Sequence, residues 1–195
     1  MPTLNLMEVK LRPIIVQSHT SAAAEAYCNF VPTKTQKDAL TAAGLETLSY
    51  FPNIPGACAM MSAVYAAHLQ RTTNAPVYVV AGGLVIGQSW IFGVAEPARD
   101  WNSAFNESNP SWDGHCWVML GKYIADISLF RTEYSQYSPP VLSQHVTRKF
   151  GTGRGLLTCT LADFQQLGLH YEPQYVLTDS QVIALCRGAK SLIQL

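Results

Sequence analysis

The chain has 195 residues, 48% of them hydrophobic and 13% charged, with 13 basic residues balancing 13 acidic ones. So large an apolar share fills one globular core and excludes a disordered chain. The balanced charge, with no basic run longer than Arg148-Lys149, excludes the field that a nucleic-acid binder carries.

The N-terminal stretch MPTLNLMEVKLRPIIVQ holds Glu8, Lys10 and Arg12 inside its apolar part. That is unlike a secretory signal, so a cytoplasmic location is expected. Two alanine-containing segments, 21–27 and 35–48, have helical character, the second capped by Thr33 or Thr35. In YFPNIPGACAMMSAVYAAHLQRT, Pro52 and Pro55 hold the approach extended and Gly56 permits a sharp turn. Residues 57–70, with five alanines, then form a helix and place Cys58 in its first turn.

From 72 to 95 there is no charge, and APVYVVAGGLVIG is an apolar run. Glycines break it short of the roughly 20 residues of a membrane span, so no membrane is expected. Strands over 77–81 and 89–94 are predicted instead, with Gly82-Gly83 bending or ending the first. Segment 96–114 is polar, carries two prolines, and is long enough to act as a lid.

After a hairpin around 114–128 come an irregular stretch at 134–140 and a flexible turn at GTGRG, 151–155. A strand over 156–160, a helix over 161–167, a strand over 169–177 and a helix over 180–193, capped by Thr178 or Asp179, close the chain. The pattern is α+β, helices packed around an antiparallel sheet in one domain. Within it, 1–50 is a helical N-terminal part, 51–130 a catalytic core and 131–195 a C-terminal part of strands and helix.

GHCWVMLGKYIADIS gives the hairpin a geometry. A two-residue turn at Gly121-Lys122 pairs Leu120 with Tyr123, Met119 with Ile124 and Val118 with Ala125. Alternation then sends His115, Trp117, Asp126 and Ser128 to one face, and Cys116, Val118, Leu120, Tyr123, Ala125 and Ile127 to a core stripe on the other. His115 and Asp126 become diagonal neighbours, about 7–8 Å apart in backbone terms, within reach of an Asp–His hydrogen bond. Upstream, Cys58 at a helix N-terminus sits where unpaired N–H groups stabilise a thiolate.

In order and context GACAMMSAVYAA, APVYVVAGG, GHCWVML and YIADIS resemble the transglutaminase-like branch of the papain-like cysteine enzymes. In that family a Gly-x-Cys opens a helix, a His followed by an aromatic residue lies on a later strand, and an Asp lies on the next. The resemblance covers 53–129 and implies a papain-like fold. It implies Cys58 as nucleophile, His115 as general base and Asp126 as the residue that orients His115. It also implies an oxyanion hole from the Cys58 N–H and one upstream side chain. The glutamine that papain-like proteases place there has no counterpart between 37 and 58, which leaves Asn53 or Tyr50. The arginine and glutamate that flank the Cys of arylamine acetyltransferases are missing too, Ala57 and Met60 standing in that neighbourhood.

The function expected is a cysteine-dependent hydrolase or acyltransferase, acting without cofactor or metal on an acyl or peptide-like substrate. Trp101, Trp112 and Trp117 are candidates for an aromatic cleft or for the core. A non-catalytic binding or structural module on the same fold is the main rival. A metal site built on Cys58, His115, Cys116 and Asp126 is a third reading, weakened because alternation turns Cys116 away from His115. GTGRG lacks the Gly-Lys-Ser/Thr ending of a phosphate loop, Ser89 lacks the second glycine of a nucleophile elbow, and His19, His68, His145 and His170 have no partner spacing. The low charged fraction leaves room for a homo-oligomer.

Overall fold

The computed structural model describes residues 6–96, 100–106, 112–136 and 138–193. In chain order the elements are α1 (Leu6–Ser18), α2 (Ser21–Cys28), α3 (Lys34–Tyr50), α4 (Cys58–Thr72), β1 (Val77–Ile86), β2 (Ser89–Phe92) and α5 (Trp101–Ala104). Then follow β3 (His115–Leu120), β4 (Tyr123–Asp126), α6 (Leu129–Glu133), α7 (Pro140–Phe150), β5 (Leu157–Thr160), α8 (Leu161–Gln166), β6 (Leu169–Val176) and α9 (Asp179–Lys190). No helix among the described residues is long and apolar enough to cross a membrane.

The fold is α+β, built on one antiparallel sheet. The strand path runs β2-β1-β3-β4-β5, and β6 pairs with β1 as well. Residues 77–82 of β1 pair with β3 and residues 84–86 with β2. Since β6 pairs with 80–86, it takes the opposite edge, so β1 is the spine of the sheet. Helices cover both faces. Val79, Ala81, Cys116, Val118, Leu120 and Ala125 pack with α3, α4 and α9 in one cluster. Val80, Leu84, Trp117, Met119 and Ile124 pack with α1, α2, α7 and α8 in the other.

The hairpin register is the expected one: Val118 opposite Ala125, Met119 opposite Ile124 and Leu120 opposite Tyr123. Its faces differ from expectation. Only the Cys116 side is expected as a core stripe, yet every residue of β3 is buried, because helices cover the His115 side too.

Gly82-Gly83 neither ends nor interrupts β1, which continues to Ile86. At Gly82 the spine comes so close to β6 that a Cβ would lie 2.0 Å from the Glu172 carbonyl oxygen, beside a register shift between Ala81 and Gly82. A residue with no side chain is what that approach requires.

Helices α2, α3, α8 and α9 start within one residue of the expected positions, three of them closed by capping boxes at Thr33, Thr160 and Thr178. Helix α1 runs through Pro13, and α7 begins at Pro140, a proline at the first helical position whose missing N–H costs nothing there. Of segment 96–114, expected as a lid, residues 97–99 and 107–111 lie outside the described residues. In its described part Trp101 and Trp112 join Phe105 and Tyr175 in an aromatic cluster, Phe105 being fully buried.

Candidate active site

Helix α4 carries Cys58 as its first residue. Gly56 precedes it with φ +76°, a left-handed turn that turns the chain into the helix, and Ala57 stands at the cap with no side chain to bond the first N–H groups. The open helix end therefore presents backbone donors and a partial positive charge at the thiol. Two bonds fix α4 in place: the Tyr65 hydroxyl donates to the Leu40 carbonyl at 2.6 Å, and the Ser62 hydroxyl to the Cys116 carbonyl at 3.1 Å. Ser62 lies one turn beyond Cys58, so the second bond seats that face of α4 over Cys116 of β3.

His115 opens β3, opposite Gly82 of the spine, and is 1% exposed. Its ring stacks on Phe92 at 5.1 Å between centroids. Nε2 lies 2.5 Å from Asp126 Oδ2, the diagonal contact that the hairpin register predicts. With Nε2 engaged, Nδ1 is the ring nitrogen left for the Cys58 thiol, which hydrogen-bonds the ring. Cys58 lies on the Cys116 side of the sheet and His115 alternates to the other; His115 meets both partners because it stands at the end of its strand.

Asp126 is fully buried and accepts from every side. Oδ1 receives the backbone N–H of Ser128 at 3.0 Å and of Leu129 at 2.9 Å. Oδ2 receives the Tyr171 hydroxyl at 2.7 Å in addition to His115. A carboxylate bonded by that many donors is held ionised. Burial opposes the charge, but the His115 charge and bond, with those of Tyr171 and Ser128, keep Asp126 below the usual carboxylate range.

The same balance acts along the row. For His115, burial works against the imidazolium, and the Asp126 charge and bond, together with Cys58, outweigh it and hold the pKa at about 10. For Cys58, the bond from the Cys116 thiol is the largest influence; burial opposes it, and the bond and charge of His115 add to it, leaving the thiol well below its usual value. Burial and the neighbouring Cys58 charge push Cys116 well above the ordinary thiol range. Burial and Asp126 do the same to the Tyr171 phenol. These shifts all act in one direction, favouring a Cys58 thiolate that faces an imidazolium anchored on a carboxylate.

A cleft of about 160 Å³ opens beside Cys58, lined by Asn53, Gly56, Met61, Ser128, Arg131 and Thr132 among others. Of the two side chains expected as a second oxyanion donor, Asn53 lines this cleft; Tyr50 ends α3, exposed, outside the lining. Trp117 does not line it: the indole is 0% exposed and packs edge-on against Tyr171 at 5.0 Å. Trp112 belongs to the aromatic cluster of Trp101 and Phe105 and is also absent from the lining. The helix and sheet thus bring Cys58, His115, Asp126 and Asn53 together and leave the other three candidates apart.

Three residues of the site have no signal in the sequence reading. Cys116 was turned away from it by alternation, which describes the faces of a strand and is silent about the helix that lies on them. Tyr171 comes from β6, 45 residues beyond Asp126. Arg131 donates to the carbonyls of Leu48, Phe51 and Pro52 at 2.7, 2.7 and 2.9 Å, tying the end of α3 and the approach to Cys58 against α6. Among the remaining histidines, His19 bonds the Leu177 carbonyl and His145 that of Leu167, while His68 pairs with Glu46. Among the described residues no group of three His, Cys, Asp or Glu side chains is disposed to hold a metal ion.

Comparison with protein-family models, with curated proteins and with solved structures finds no match to the chain.

Proposed function

We propose that the protein is a cysteine-dependent hydrolase or acyltransferase of papain-like, transglutaminase-like architecture, with Cys58, His115 and Asp126 as its catalytic triad. The observation that carries the reading is the unbroken row from a thiol at an open helix end, through His115, to a buried carboxylate 2.5 Å away. A buried ion pair of this kind is costly to assemble without a task, and it lies beside a cleft.

The chemistry follows from the positions. The Cys58 thiolate attacks an acyl carbon, the carbonyl electrons move to oxygen, and the Cys58 N–H and the Asn53 amide donate to that oxyanion. His115 gives its proton to the leaving amine, and the tetrahedral intermediate collapses to a thioester. Neutral His115, held in one orientation by Asp126, then takes a proton from water or an acceptor amine, which attacks the thioester and releases the thiolate. Hydrolysis and transfer share the first half of this path; the second nucleophile distinguishes them. Five cysteines, an odd number with no C-x-x-C pair, fit a reducing compartment such as the cytoplasm.

Limited iodoacetamide at pH 6 tests the reading. Ordinary thiols, with a pKa of about 8.5, are then almost entirely protonated. Alkylation confined to Cys58, and lost in His115→Ala, is the expected result. Labelling spread over the five cysteines, or unchanged in His115→Ala, overturns it.

A further inference from the structure

Cys116 is a thiol of the site that the acyl-transfer path does not use. It lies in the wall of the core, 0% exposed, under the first turns of α4. Its thiol hydrogen-bonds Cys58, and the bond from Ser62 to the Cys116 carbonyl holds helix and strand in that register. The two sulfurs thus stand adjacent on rigid elements, one facing the cleft and the other sealed from it. Cys28, Cys159 and Cys186 are spread over other parts of the fold.

We propose that Cys58 and Cys116 form a reversible oxidation site, in which a peroxide converts the pair to a disulfide that switches the nucleophile off and shields it from irreversible oxidation. The proposal rests on the reading of Cys58 as a thiolate. In the first step the Cys58 thiolate attacks a peroxide oxygen; an S–O bond forms, the O–O bond breaks, and the departing hydroxide or alkoxide takes the His115 proton. Cys58 is then a neutral sulfenic acid, and the thiolate charge that opposed ionisation of Cys116 is gone. In the second step the Cys116 sulfur attacks Cys58, the S–S bond forms, and the S–O bond breaks as the Cys116 proton passes to the departing hydroxyl, which leaves as water. The peroxide is reduced by two electrons and two thiols become one disulfide. An external dithiol reverses the reaction by thiol–disulfide exchange.

Division of labour between the thiols supports this assignment. A peroxide needs an ionised, accessible sulfur, which Cys58 supplies from the cleft. A resolving thiol needs proximity more than exposure, and burial keeps Cys116 from being oxidised on its own. The elements that carry them are locked together by the bond from Ser62 to the Cys116 carbonyl.

The test is hydrogen peroxide titrated onto the reduced full chain, with free thiols then alkylated and the protein weighed and peptide-mapped. The expected product has lost about 2 Da, the mass of two hydrogens, before alkylation, takes up three alkyl groups where the reduced chain takes five, and contains a Cys58–Cys116 cross-linked peptide that dithiothreitol reverts. Because Cys116→Ser places a hydroxyl in the core, Cys116→Ala is run beside it. In either variant Cys58 is expected to gain two oxygens irreversibly, at a peroxide concentration that leaves the wild type recoverable. Direct over-oxidation of Cys58 in the wild type, or a disulfide to another cysteine, overturns the proposal. Iodoacetamide labelling of the same reduced sample separates the two readings. Fast Cys58 labelling without the cross-link defeats this inference alone, whereas slow Cys58 labelling defeats the nucleophile reading beneath it.

Discussion

Asp126→Asn exposes the logic of the site, because five donors, the Ser128 hydroxyl among them, converge on this carboxylate and an amide can satisfy only some of them. The Ser128 and Leu129 N–H groups, at 3.0 and 2.9 Å, belong to the backbone and cannot turn away, so the amide oxygen must face them. The amide nitrogen then faces His115 and Tyr171. The Tyr171 hydroxyl can rotate to accept, but His115 Nε2 must give up its hydrogen and accept as well. The ring is left carrying its proton on Nδ1, toward Cys58, as a neutral group with no carboxylate to stabilise a second proton. The fold survives, since the amide keeps both backbone bonds, at a cost of about 1–3 kcal/mol for the disturbed polar contacts. The thiolate loses its counter-ion, and the apparent pKa of Cys58 returns toward about 8.5. Alkylation rate against pH reads this directly. The variant rate is expected to fall about tenfold per pH unit, roughly 100-fold from pH 8 to pH 6, and the wild-type rate, with its lowered thiol pKa, to fall much less. A profile identical to the wild type in a folded Asp126→Asn would refute the claim that Asp126 governs the His115 proton.

Other consequences can be checked independently. Gly82→Ala drives a Cβ to 2.0 Å from the Glu172 carbonyl, a backbone collision that no rotamer relieves; a loss of about 3 kcal/mol and a Tm lower by about 10 °C are expected, and an unchanged Tm would contradict the register between β1 and β6. Arg131→Lys replaces a planar fork bonded to three carbonyls with a single ammonium. It should cost about 1–2 kcal/mol in a urea melt and speed proteolytic nicking between residues 51 and 57, and equal melts and nicking rates would assign the arginine no clamping role. The Cys58–His115 pair also sets a pH signature in stability. The raised His115 pKa contributes fully below its unfolded value of 6.5 and fades as pH rises through about 10; the lowered Cys58 pKa contributes fully above its unfolded value of 9.0 and fades as pH falls through the folded value. Between 6.5 and 9.0 the folded pair holds one proton, as the unfolded pair does, so the two slopes cancel. The stability lost in Cys58→Ala should then depend on pH, because the variant keeps only the falling His115 contribution; parallel curves across that range would show that the pair is neutral.

How much of this was legible in the sequence depends on how local the cause is. The hairpin register could be read because a period of two and one glycine turn fix it, and with it the His115–Asp126 contact. Cys58 could be placed at a helix start because Pro55 and Gly56 announce one. What lies over a strand is not a local property. The burial of Trp117, the thiol contact of Cys116 and the support from Tyr171 and Arg131 all depend on which helix or strand is laid against the hairpin, over separations of 45 to 83 residues for the last two. Helices α1 and α7 were hidden by proline: Pro13 sits inside one, and Pro139-Pro140 open the other, where a breaker in the middle is a good starter at the end. Gly82-Gly83, expected to bend or end the first strand, does not end it; the strand runs on past a register shift at Ala81/Gly82, where the glycine lets β6 approach the spine.

The central claim is that Cys58 carries an acyl group, and the most direct measurement is to put one there. The reduced protein is mixed with p-nitrophenyl acetate, quenched in acid at short times, and weighed and peptide-mapped, with Cys58→Ala and His115→Ala treated in parallel. A single acetyl group on Cys58, removed by hydroxylamine and absent from both variants, is the predicted result. Acetylation at the same rate in Cys58→Ala, or an acetyl group only on lysines or the N-terminus, would contradict the account.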